Sequence, residues 1–143
     1  MKNNINRLKS WIIQFMQAPD EYGRINEKVN MQLLSKHIDK LNNIEHTVLL
    51  DTGCGTGENL IKLKKAFPKF SKYIGIDNYK PSIEICIKQY FGEAKFIFSD
   101  CLEMPIETNS VGIIISNQVV EHIAQYDDYL REIKRVLSPG GML

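Results

Sequence analysis

The spacing of apolar residues changes near residue 47. Before it, apolar residues recur at helical spacing up to Pro19 and again from Ile25 to Leu41, which predicts two amphipathic helices. After it, short apolar runs predict four strands at 47–51, 72–77, 95–100 and 111–116, and helical spacing returns at 60–67, 83–91 and 126–137. Strands that are apolar on both faces and alternate with helices are typical of a parallel sheet covered on both sides. The predicted fold class is α/β, a Rossmann-like doubly wound sheet.

A glycine-rich segment, DTGCGTGENL, follows the first predicted strand. The dinucleotide pattern G-x-G-x-x-G would place a glycine where Glu58 stands, and a P-loop would need Lys and Ser or Thr at Glu58 and Asn59. Asp51 and Glu58 would also repel a phosphate, because the loop has no lysine or arginine to offset them. The segment therefore predicts a nucleoside-like ligand that lacks phosphate and carries positive charge.

Three aspartates, Asp51, Asp77 and Asp100, end three successive predicted strands, so a parallel sheet would bring them to one edge. Each alone could simply cap a turn, which aspartate does well. Asp77 lies 20 residues after Gly57, a position that suits a carboxylate accepting hydrogen bonds from both ribose hydroxyls. A nucleoside with a free ribose, a sulfonium and an ammonium group is S-adenosylmethionine.

From about Thr47 to its last residue, the chain resembles the class I S-adenosylmethionine-dependent methyltransferases. Five segments carry the resemblance in that family's order: VLLDTGCGTGENL, GIDNYKPSIE, FSDCLEMP, SNQVVEHI and LREIKRVLSPGGML. The resemblance implies a cofactor-binding core at 46–143, with N-terminal helices at 1–45 packed on it as a lid or cap. It implies methyl transfer from S-adenosylmethionine to a small-molecule acceptor, with S-adenosylhomocysteine as the product.

The same resemblance assigns cofactor contacts to residues near the ends of the strands. Asp51 would orient the amino group of the methionine part, Asp77 would bind the ribose, and Asp100 would accept from the adenine amino group. The other assigned contacts are Gly53, Cys54, Gly55, Gly57, Asn78, Cys101, Leu102, Asn117 and Gln118. The Cys54 side chain is expected to be a small buried filler with no catalytic role.

Two residues around the fourth strand raise further expectations. His122 is a candidate catalytic base, because histidine titrates near neutral pH, although it could instead only pack or contact ligand. Gly112 stands where the family usually has an acidic residue, and this departure bears on the local geometry of the fourth strand more than on cofactor binding.

The end of the chain, Ser138 to Leu143, resembles the turn that leads into the family's fifth strand. We therefore expect a sheet of order 3-2-1-4 that is truncated before the fifth strand, with the C-terminal strands absent. The fourth strand would be an exposed apolar edge through which a homo-oligomer could form. A non-catalytic cofactor-binding module, acting as a subunit or regulator, is the alternative to an enzyme.

Composition narrows the remaining classes of function. With 143 residues and 43% hydrophobic content, the chain can form one core, and its net charge of +1 favours neither nucleic acid nor a membrane as partner. Three cysteines without paired spacing indicate free thiols, no metal site and a cytoplasmic location. The apolar stretch around Trp11 is too short to span a bilayer. A nicotinamide-dependent oxidoreductase is a further alternative, and Glu58 argues against it.

Overall fold

The computed structural model describes residues 47–143 and, before them, the helical residues Gln32, Ser35 and Lys36. The two N-terminal helices predicted from the sequence, and their role as a lid or cap, otherwise lie outside the described residues. Both therefore remain predictions.

Five parallel strands and three α-helices make up the described domain. The strands are β1 (Val48–Thr52), β2 (Lys72–Asp77), β3 (Lys95–Phe98), β4 (Val111–Ser116) and β5 (Leu137–Met142). The helices are α1 (Glu58–Ala66), α2 (Lys80–Gln89) and α3 (Tyr126–Val136), with a 3-10 turn at Val120–His122. All strand pairs are parallel and the order is β3-β2-β1-β4-β5. The predicted α/β class is confirmed, and so are the four predicted strands and their order.

The sheet separates two apolar layers because neighbouring side chains on a strand point to opposite faces. Leu49 packs in the layer with helices α1 and α2, whereas Leu50, the next residue of β1, packs in the layer with α3, and both are fully buried. Helix α3 presents Tyr129, Ile133 and Val136 to its layer at helical spacing. Strand β1 is therefore buried on both faces, which holds its carboxyl end in a fixed position.

The expectation that the chain stops before a fifth strand is wrong. Strand β5 pairs with β4 in parallel, with Leu137 opposite Val111 and Met142 opposite Ile113. Pro139 and Gly140 lie within β5 and are exposed. An edge strand tolerates proline, which lacks the N–H of the ladder, and the Pro-Gly-Gly sequence thus belongs to a distorted edge strand as well as to a turn. Strand β4 is covered, so an oligomer formed through an exposed β4 has no basis here.

Strand β4 is irregular at Gly112. The pairing with β1 steps from Val48 opposite Val111 to Leu49 opposite Ile113, which leaves Gly112 bulged out of the register. A Cβ atom at Gly112 would lie 2.0 Å from Cγ2 of Thr47. A residue with a side chain at this position would therefore fit only if the Thr47 side chain moved.

The fully described helices are short. The longest, α3, has 11 residues, whereas crossing a bilayer takes about 20. Within the part of the chain that the structure describes, no helix is long and apolar enough to span a membrane.

Candidate functional site

The loop from β1 to α1 has the backbone of a tight turn. Gly53, Gly55 and Gly57 have φ angles of +69°, +52° and +80°, a left-handed region that residues with a Cβ atom rarely adopt. Their surroundings differ. A Cβ atom at Gly53 would lie 2.3 Å from Cγ2 of Val119, and one at Gly57 would lie 2.8 Å from Cε1 of Phe96.

Gly55 is the exception, because a Cβ atom there would meet no atom within 4 Å. Gly53 and Gly57 thus let the loop pack on the protein, whereas Gly55 borders open space. A ligand can approach the backbone of the loop at this central glycine.

Hydrogen bonds join the loop to the end of β2. The carbonyl of Ile76 accepts from the N–H groups of Gly53 at 2.7 Å and Cys54 at 3.0 Å. The carboxylate of Asp77 accepts from Gly55 N–H through Oδ2 at 2.9 Å and from Tyr79 N–H through Oδ1 at 2.8 Å. Each carboxylate oxygen can accept a second hydrogen bond. Asp77 is therefore oriented by the protein and can still bind a pair of neighbouring hydroxyls.

Asp51 is a buried acid in the middle of the site, with only 2% of its surface exposed. Burial raises the pKa of Asp51 to about 7; a hydrogen bond with Asn59 opposes the rise, and the nearby charge of Asp77 adds to it. A buried carboxylate is costly unless a positive group or further hydrogen bonds accompany it. Asp51 is therefore suited to an ammonium group brought by a ligand.

Asp100 extends the acidic edge to β3. Asp77 lies opposite Phe98 in the sheet, two residues before Asp100, and Ser99 N–H donates to the carbonyl of Asp77 at 3.1 Å. Oδ1 of Asp100 accepts from Leu102 N–H at 2.9 Å, and the side chain is exposed. One carboxylate oxygen is thus held by the turn, and the other can accept from a ligand.

Two thiols are buried in and beside the glycine loop. Cys54 is 7% exposed and Cys86 is fully buried, and the Cys86 S–H donates to the carbonyl of Gly55 at 3.2 Å. Burial raises the pKa of both thiols, so neither is a ready nucleophile. The predictions of free cysteines, and of Cys54 as a buried filler, are confirmed.

A cluster of hydroxyl groups joins β1 to β4, and no local pattern in the sequence predicts it. The buried hydroxyl of Tyr129 lies 2.9 Å from Oγ1 of Thr52 and donates to Oγ of Ser116 at 2.7 Å. Thr52 also donates to the carbonyl of Ile115 at 3.2 Å. Thr52 precedes the glycine loop, and Ser116 precedes the segment after β4. Through Tyr129, helix α3 therefore fixes the distance between the carboxyl ends of β1 and β4.

The segment after β4 lies beside the glycine loop, because Val119 packs under Gly53. Asn117 is half-buried, and Gln118 is exposed with φ of +53°. His122 ends the 3-10 turn with an exposed side chain, and its N–H donates to the carbonyl of Val119 at 3.0 Å. Asn117 and Gln118 thus lie in the segment between β4 and Val119, next to the glycine loop. The role of His122 as a base stays a prediction, as do the individual contacts assigned to Asn117, Gln118, Asn78, Cys101 and Leu102.

Residues 50–143 match the methyltransferase domain family, and the chain belongs to that family. Among curated proteins, the chain is similar to the demethylmenaquinone methyltransferase of Staphylococcus aureus, with 31% identity over 134 residues. The match covers 78% of this chain and 56% of that relative, so the chain spans a little more than half of the relative's length.

Solved structures share the fold at lower identity. A SAM-dependent methyltransferase from Aquifex aeolicus is 23% identical with a TM-score of 0.61, over 73% of this chain and 58% of that one. The geranyl diphosphate C-methyltransferase of Streptomyces coelicolor, solved with S-adenosyl-L-homocysteine, is 17% identical with a TM-score of 0.63, over 80% and 42%. The predicted methyltransferase family and the Rossmann-like fold are confirmed.

The residues of the site fit S-adenosylmethionine, the cofactor predicted from the sequence. Gly55 leaves open space at the loop, Asp77 is oriented by two backbone N–H groups, and Asp51 lacks a cationic partner in the loop sequence. These features suit a ribose and a positively charged methionine part, and they offer nothing basic to a phosphate.

Proposed function

We propose that this chain binds S-adenosylmethionine and transfers its methyl group to a small-molecule acceptor. The observation that carries the proposal is the Asp77 carboxylate, fixed by Gly55 and Tyr79 N–H groups at the end of β2. It stands next to an open glycine loop and a buried Asp51. An acidic site with a preformed acceptor for two hydroxyls favours a cationic nucleoside.

Each carboxylate has a distinct part in this proposal. Asp77 accepts from the two ribose hydroxyls, and its orientation before binding lowers the entropy cost of that contact. Asp51 orients the ammonium group of the methionine part, directly or through water, and its ionised form is stabilised by that group. Asp100 accepts from the adenine amino group, with the backbone of Cys101 and Leu102 beside the ring.

Binding and orientation account for most of the catalysis. When bound, the cofactor supplies an electrophilic methyl group on a sulfonium. The chain holds the methionine part against the glycine loop, with Asn117 and Gln118 beside it, so that an acceptor atom can attack in line. Fixing two reactants in this way lowers the barrier without any chemical step by the protein. His122 acts as a base only for acceptors that must lose a proton.

A small organic molecule is the acceptor that the comparisons favour. The relative from Staphylococcus aureus is a demethylmenaquinone methyltransferase, so a demethylated quinol is the first acceptor to test. A net charge of +1 does not favour a nucleic-acid acceptor.

The test is transfer of labelled methyl from S-adenosylmethionine to a panel of quinols, phenols and small amines. We expect label in at least one acceptor with the wild type, and a loss of at least about tenfold with Asp77→Ala. Glu84→Ala removes an exposed carboxylate on α2 and should transfer as the wild type does. Measurable cofactor binding with no transfer to any acceptor would instead support a non-catalytic binding module.

A further inference from the structure

An ion pair on α3 lies against the loop that follows Asp100. Nε of Arg135 donates to Oε2 of Glu132 at 2.7 Å, and Nη2 donates to Oε1 at 2.7 Å. Both side chains are partly shielded, with 36% of Arg135 and 11% of Glu132 exposed. The hydrogen bond from Arg135 lowers the pKa of Glu132, which keeps the carboxylate ionised at neutral pH. A two-point pair of this kind fixes the direction of both side chains.

The pair also binds the backbone of the loop. Oε1 of Glu132 accepts from Met104 N–H at 2.6 Å, and Nη2 of Arg135 donates to the carbonyl of the same residue at 3.0 Å. Nη1 of Arg135 donates to the carbonyl of Ile106 at 2.8 Å and to Oγ1 of Thr108 at 3.2 Å. All five N–H donors of the guanidinium therefore have an acceptor. A lysine could not reproduce this set, because its single ammonium has three donors and no planar fork.

The loop fixed in this way begins at Asp100. Oδ1 of Asp100 accepts from Leu102 N–H at 2.9 Å, and its carbonyl accepts from Glu103 N–H at 3.3 Å. Met104 is the next residue, and its side chain is 3% exposed. The turn that carries Asp100 is thus held by β3 at one end and by the ion pair at the other.

We infer that Glu132 and Arg135 are positioning residues for recognition of the adenine: they hold the Asp100 turn so that its second carboxylate oxygen meets the adenine amino group. The inference rests on the proposed binding of S-adenosylmethionine. Both residues act on the turn through the backbone of Met104. Loosening the turn should therefore reduce the preference for adenine more than it reduces contacts with the ribose.

The test compares two ligands by isothermal titration. One is S-adenosylhomocysteine, and the other is S-inosylhomocysteine, in which a carbonyl oxygen replaces the amino group and faces the Asp100 carboxylate. A hydrogen bond to a charged group corresponds to a preference of about ten- to a hundredfold. We expect the wild type to prefer the adenosyl ligand by this factor. Arg135→Ala should lower that preference at least about threefold.

Lys134→Ala is the matched control. Lys134 lies next to Arg135 in the last turn of α3, and its side chain is exposed. Its removal should leave the preference unchanged. Arg135→Lys keeps the positive charge but lacks the planar guanidinium. Its preference for the adenosyl ligand should lie between those of the wild type and Arg135→Ala. It also provides a folded variant if the alanine variant unfolds.

The outcomes separate this inference from the proposed function. Equal weakening of both ligands in the Arg135 variants, with the preference intact, would show a purely structural role and overturn the inference. A wild type that binds both ligands equally would also overturn it, while cofactor binding would stand. A wild type that binds neither ligand would refute the proposed function and the inference together.

Discussion

The backbone N–H of Gly55 donates to Oδ2 of Asp77 at 2.9 Å, across 22 residues of sequence. This bond joins the loop after β1 to the end of β2. The same carboxylate therefore shapes the glycine loop and faces the proposed ribose position. Changes at Asp77 should affect both the loop and the ligand.

Asp77→Asn tests this double role. The amide places an NH₂ group where one of the carboxylate oxygens accepts from Gly55 or Tyr79, so one backbone donor loses its partner. We expect the affinity for S-adenosylhomocysteine to fall by about ten- to a hundredfold, measured by isothermal titration. Glu84→Gln changes an exposed carboxylate that pairs with Lys80 at 4.0 Å and should bind as the wild type does. Unchanged affinity in Asp77→Asn would make the ribose assignment wrong.

A pair of glycine substitutions separates backbone strain from ligand contact. Gly55 and Gly92 have φ of +52° and +75°, and a Cβ atom at either would meet nothing within 4 Å. Alanine at each position should lower the free energy of unfolding by about 1–2 kcal/mol, because both positions have a left-handed backbone conformation that a residue with a Cβ atom adopts only with strain. Only Gly55→Ala should weaken S-adenosylhomocysteine binding, since Gly92 lies outside the loop. Thermal unfolding and titration measure the two effects, and equal binding by both variants would argue against ligand contact at Gly55.

The raised pKa of Asp51 predicts how the free energy of unfolding depends on pH. Its pKa of about 7 in the folded protein lies above the ordinary value of 3.8, so the protonated acid stabilises the fold. This contribution is complete below about pH 4 and is lost as the pH rises through 7. The unfolding free energy of the wild type should therefore fall over this range, relative to Asp51→Asn, by on the order of 2–4 kcal/mol.

Urea unfolding of both proteins between pH 4.5 and 8 checks this expectation. Glu132, whose pKa is lowered, contributes in the opposite direction, because its stabilisation is lost as the pH falls. That contribution is common to both proteins and cancels in their difference. A difference that does not change with pH would contradict the raised pKa of the buried Asp51.

Tyr129→Phe tests the hydroxyl cluster between β1 and β4. The substitution keeps the buried ring but removes the partner of Thr52 and Ser116. The free energy of unfolding should fall by about 1–2 kcal/mol, because buried hydroxyls lose hydrogen bonds. Tyr79→Phe, at a side chain that is 62% exposed, should change it little. Equal stability of the two variants in urea would show that the cluster contributes nothing.

The sequence was sufficient for most of the fold because its signals are local. Apolar runs marked β1 to β4, and the aspartates at their ends marked the functional edge. Strand β5 was missed for a physical reason: it begins at Leu137, directly after the last residue of α3, with no loop between them. Its Pro139-Gly140 sequence is also typical of a turn, and only its pairing with β4 shows that it is a strand.

The parts of the site that the sequence did not predict depend on distant partners. In the sequence, Glu132 and Arg135 resemble an ordinary surface ion pair on a helix. In the structure both bind the backbone of Met104, which lies 28 residues before Glu132 and 31 residues before Arg135. Tyr129 reads as a core residue, although its hydroxyl meets Thr52, 77 residues away. Periodicity indicates which face of a helix is buried, but it does not identify the polar group that the face meets.

The most direct test of the account is parallel titration of the chain with S-adenosylmethionine, S-adenosylhomocysteine and NADH. An acidic loop with Glu58 in place of a third glycine should reject the pyrophosphate of NADH and accept the cationic nucleoside. We predict saturable one-to-one binding of the first two ligands and none of NADH. Binding of NADH without binding of S-adenosylmethionine would contradict the central claim.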